Sequence, residues 1–79
     1  MHPDQINQYK KARPFQPFRL VLDGGETFDV RDPLHILVTP THVFVGVGEG
    51  QEGLPLDLEV RTPEMVARIE LLPALGKAS

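Results

Sequence analysis

The chain has 79 residues, a formal net charge of −3, 41% hydrophobic residues and no cysteine. That length allows one small domain with a thin core, and the lack of cysteine excludes disulfides and thiolate metal sites. The acidic balance argues against general nucleic-acid binding, and no apolar run approaches the ~20 residues that span a bilayer.

Residues 3–13 read as a short helix. Pro3 suits the first turn, Asp4 favours the positive end of the helix dipole, and Lys10, Lys11 and Arg13 favour the negative end. Ile6 and Tyr9 share a face, and Pro14 and Pro17 stop the helix. Met1-His2-Pro3-Asp4 lacks the charged-then-apolar pattern of a signal peptide, which makes the cytoplasm the expected location.

From Phe18 the hydrophobic period becomes two. Phe18, Leu20 and Leu22 alternate with Arg19, Val21 and Asp23, and Asp23-Gly24-Gly25 is a turn signal. Glu26 to Val30 continues the alternation, so residues 18–30 read as a β-hairpin. Arg31-Asp32-Pro33 breaks the chain or bends one long strand; six strands follow from the first alternative and five from the second. Leu34, Ile36 and Val38 pair with Val47, Val45 and Val43 in a second hairpin across Thr39-Pro40-Thr41-His42. This register puts six apolar side chains on one face. Gly48 to Gly53 is a connector. Leu56, Leu58 and Val60 alternate along a further strand, and Thr62-Pro63-Glu64-Met65 forms one tight turn. Ala67, Ile69 and Leu71 mark the last strand, and residues 73–79 form a loose tail.

The expected architecture is a mainly β small antiparallel barrel, spanning about 17–72, of the Sm-like or SH3-like kind, preceded by a short helix. Its expected core is Phe18, Leu20, Leu22, Phe28, Val30, Ile36, Val38, Val43, Val45, Leu58, Ile69 and Leu71. Arg13-Pro14-Phe15-Gln16-Pro17-Phe18 followed by Asp23-Gly24 resembles a group of short bacterial proteins without assigned activity that share a Pro-Phe-x-Pro-Phe motif. The resemblance extends over about residues 12–72 and implies a fold but no activity. The loops of Sm-like RNA-binding proteins carry an Asp and an Asn, and Thr39-Pro40-Thr41-His42 has neither.

Candidate chemistry is sparse. Gly46-x-Gly48-x-Gly50 joins two strands beside Glu49 and Glu52, so a connector explains it better than a phosphate cradle. His35 and His42 read as surface residues, and Asp23, Glu26 and Asp29 as turn and solvated-strand carboxylates. No enzyme activity, cofactor or metal site is expected. Lys10, Lys11, Arg13 and Arg19, interleaved with Tyr9, Phe15 and Phe18, form the alternative reading, a single-stranded nucleic-acid contact. The favoured reading is self-association into a homo-oligomer. Leu37 and Phe44 on the second hairpin, and Val21, Val66 and Leu72 elsewhere, point away from the expected core and leave apolar surface to be covered.

Overall fold

The computed structural model describes residues 1–73. Among these residues it is mainly β: one helix, α1 (Pro3–Lys11), precedes six strands. They are β1 (Phe18–Leu22), β2 (Thr27–Val30), β3 (Ile36–Val38), β4 (Val43–Val47), β5 (Asp57–Arg61) and β6 (Val66–Leu71). They form two antiparallel three-stranded sheets, ordered β2-β1-β6 and β3-β4-β5, and no ladder among the described residues joins the two into a closed barrel. Residues 74–79, most of the expected tail, lie outside the described residues.

The helix ends at Lys11, two residues before the expected Arg13, because Pro14 disfavours the helical conformation in the residue before it. Its start uses a signal not read from the sequence. The His2 ring accepts a hydrogen bond from the Asp4 amide, and the Gln5 side chain accepts one from the His2 amide, both at 3.1 Å. This is the reciprocal arrangement of a capping box. Ile6 is fully buried, and the Tyr9 and Phe15 rings lie 5.5 and 5.9 Å from that of Phe18.

The first hairpin pairs Phe18 with Val30 and Leu20 with Phe28. Its turn uses Gly24 and Gly25 at φ 89° and 97°, a region in which an L-residue is strained. A 3₁₀ turn over Pro33–His35, capped by Asp32 accepting from the Leu34 amide at 2.8 Å, separates β2 from β3. Six strands, rather than five, therefore lie among the described residues. The second hairpin has the expected register, Val38 with Val43 and Ile36 with Val45. It stops short of Leu34, which lies in the 3₁₀ turn and is exposed rather than on the inner face.

The core contains Ile6, Phe18, Leu20, Leu22, Val30, Ile36, Val43, Val45 and Val66, with Phe28, Val38 and Ile69 packed on it half-buried. Two expected core residues are exposed, Leu58 and Leu71. Leu71 pairs with Phe18 at the end of β6, where the rings of Tyr9 and Phe15 already pack on Phe18. Three residues expected to point outward are buried instead: Val21, Val66 and Leu72. A bulge explains Val66. Val21 pairs with Arg68 but Leu22 with Val66, so one extra β6 residue shifts the alternation and turns Val66 inward. Val21 is the central residue of its row, between Thr27 on β2 and Arg68 on β6, and is 7% exposed.

Candidate interaction surface

The register of the second sheet decides which side chains share a face. Leu37, Phe44 and Val60 are direct cross-strand partners on β3, β4 and β5. They lie opposite the inward set Ile36, Val43 and Val45, so they form one apolar row across the outer face. Leu58 pairs with Gly46 in the neighbouring row. A Cβ on Gly46 would stand 2.8 Å from Pro55, so the missing side chain lets the Pro55 ring lie on the strand. Leu34, Leu37, Phe44, Pro55 and Leu58 line a shallow depression of about 310 Å³. Exposure is 85% for Leu34, 56% for Leu37, 54% for Leu58 and 42% for Val60, while Phe44 is half-buried between its neighbours.

Leu37 and Phe44 face outward, as the second hairpin predicts, whereas Leu58, expected in the core, also faces out, with Val60 beside it. In β5 the apolar residues face out and Asp57, Glu59 and Arg61 share the side of Val43, Val45 and Val47. Arg61 makes this inversion favourable. Its Nε and Nη2 donate to the two Glu26 carboxylate oxygens at 2.9 and 2.7 Å, and Nη1 donates to Glu59 at 3.1 Å. The guanidinium also lies 5.2 Å from the centroid of Phe28, within cation–π range. The hydrogen bond from Arg61 holds the Glu26 carboxyl below its ordinary pKa. Val21 belongs to the other sheet and is buried, so it does not contribute to this surface.

The four basic candidates do not act alike. Lys10 Nζ donates to the carbonyls of Pro33 and Ile36 at 2.7 and 2.5 Å, tying α1 to the start of β3. Arg19 donates to both carboxylate oxygens of Asp29, at 2.7 and 3.3 Å, and this keeps the Asp29 pKa below its usual range. Lys11 and Arg13 are exposed. A cleft of about 460 Å³ beside β2 is lined by Arg19, Arg31, His35, Phe28 and Glu49, but both arginines are paired with Asp29.

His35 Nε2 lies 2.7 Å from the Gly53 carbonyl and His42 Nδ1 lies 2.9 Å from the Thr41 hydroxyl. Among the described residues no three His, Asp or Glu side chains come together as a metal site. No helix there is long and apolar enough to cross a membrane. No family model, curated protein or solved structure matches the chain.

Proposed function

We propose that the chain is a non-enzymatic interaction module that self-associates through the outer face of β3-β4-β5. The observation that carries this reading is the row Leu37, Phe44 and Val60, extended by Leu58 and Leu34. Exposed, contiguous apolar surface on a small domain marks a binding site. A chain of 79 residues buries little on folding alone, so covering that surface adds to its stability. The same reading takes the two sheets as parts of a small Sm-like or SH3-like barrel, supported by the bridge from Arg61 to Glu26.

The alternative, nucleic-acid contact through Lys10, Lys11, Arg13 and Arg19, has less support. Lys10 and Arg19 already have partners within the chain, and binding to phosphates needs cations that can replace counterions. Phe44→Lys tests the favoured reading. The variant is expected to keep the wild-type circular dichroism spectrum and to lower the associated mass. A folded variant of unchanged mass would place the interface elsewhere.

A further inference from the structure

Two sheets can join along an edge or by stacking their faces, and the open edge of β5 distinguishes the two. The hydrogen bond from the Thr39 amide to the His42 carbonyl, 2.9 Å, sets the phase of the β3–β4 ladder. Strict alternation then directs the backbone of Phe44 to Leu37 and that of Val43, Val45 and Val47 to β5. On β5, Asp57, Glu59 and Arg61 therefore bond inward, and Leu58 and Val60 present their backbone groups at the open edge.

That edge is already partly occupied. Asp57 Oδ1 accepts from the Leu58 amide at 2.7 Å, and Arg61 Nη1 donates to the Val60 carbonyl at 2.8 Å. Two of four edge groups are thus bonded by charged side chains of the same strand. A strand adding here would have to displace both, which is how natural sheets discourage edge pairing. The face just beside this edge has the opposite character. Leu34, Leu37, Phe44, Leu58 and Val60 carry no charge, and by their exposed fractions they present roughly 450 Å² per copy. Two such faces cover at most about 900 Å², the size of a weak, concentration-dependent interface.

We infer, resting on the proposed self-association, that the occupant of this face is a second copy packed sheet on sheet, with the β5 edge left unpaired. An uncharged patch is self-complementary under a two-fold axis, because apposing it to itself brings no like charges together. Residues 74–79, Ala-Leu-Gly-Lys-Ala-Ser, offer only one large apolar side chain. They also follow β6, which belongs to the other sheet.

Amide hydrogen exchange by NMR, measured on dilute and on concentrated protein, tests the arrangement together with two variants. The Val60 amide, an edge donor without a partner among the described residues, is expected to gain less than about tenfold protection on association. Asp57→Ala, which releases the Leu58 amide, is expected to change the dissociation constant by less than about twofold, while Phe44→Lys abolishes association. Protection of Val60 by about a hundredfold or more, with tighter association of Asp57→Ala, would overturn sheet stacking yet leave self-association standing. A wild-type chain that stays monomeric when concentrated would remove both.

Discussion

The Arg61 guanidinium sits 5.2 Å from the centre of the Phe28 ring and closes two hydrogen bonds on Glu26. Arg61 belongs to β5 of one sheet, whereas Glu26 and Phe28 belong to the first hairpin of the other, 35 and 33 positions earlier. One side chain thus joins the two sheets and commits β5 to presenting its charged side inward. The exposed apolar row on the opposite side follows from the same choice.

Arg61→Gln is expected to lower the melting temperature, because it removes the paired hydrogen bonds and the contact with Phe28. Glu26→Gln is expected to lower it less, since the arginine keeps Phe28 and Glu59. If the Arg61–Glu26 contact is one interaction, the double variant loses less than the sum of the singles. Additive losses in thermal melts would mean that the bridge does not couple the sheets.

Acid should weaken the fold in a defined window. Glu26 and Asp29 are held by Arg61 and Arg19 below their ordinary values of 4.5 and 3.8. A carboxylate with a depressed folded-state pKa stabilises the protein above its unfolded value, and loses that contribution as pH falls through the folded one. Stability is therefore expected to be flat near neutrality and to decline as pH drops below about 4.5. Chemical denaturation across this range should give a shallower decline for Glu26→Gln. A stability that rises on acidification would contradict the ion pairs.

Leu20 and Leu58 were both expected in the core, and the structure separates them. Leu20 is 1% exposed, so Leu20→Ala is expected to cost about 2–5 kcal/mol through lost contacts and an unfilled cavity. Leu58 is exposed on the outer face, so Leu58→Gln is expected to change stability by no more than about 0.5 kcal/mol in dilute solution. Urea titrations of both variants check the inversion of β5. A Leu58→Gln variant as unstable as Leu20→Ala would return β5 to the orientation expected from the sequence.

Much of the fold was legible because its signals are local. Alternation and the Asp23-Gly24-Gly25 turn specify the first hairpin, and Ile36, Val38, Val43 and Val45 specify the register of the second. The direction of β5 was not legible. Leu56, Leu58 and Val60 alternate with Asp57, Glu59 and Arg61 whichever set faces inward, and the apolar set is the natural choice when only burial is weighed. The deciding partner, Glu26, is remote in sequence. Val66 was missed for a related reason, since a bulge reverses the alternation without any glycine or proline to announce it. Of the exposed apolar row, Leu37 and Phe44 follow from the second hairpin alone. Val60 and Leu58 needed the third strand, and the burial of Val21 was not legible, because alternation fixes which face a side chain takes and not whether that face is covered.

The most direct test of self-association is the solution mass of the wild-type chain, measured by light scattering from about 1 to 100 µM, a range suited to an interface near the lower size bound. The monomer mass is 8.8 kDa. Self-association through the outer face predicts a mass that rises with concentration toward a multiple of this value, and a Phe44→Lys variant that remains folded at the monomer mass throughout. A wild-type mass that stays at the monomer value up to the highest concentration would contradict it.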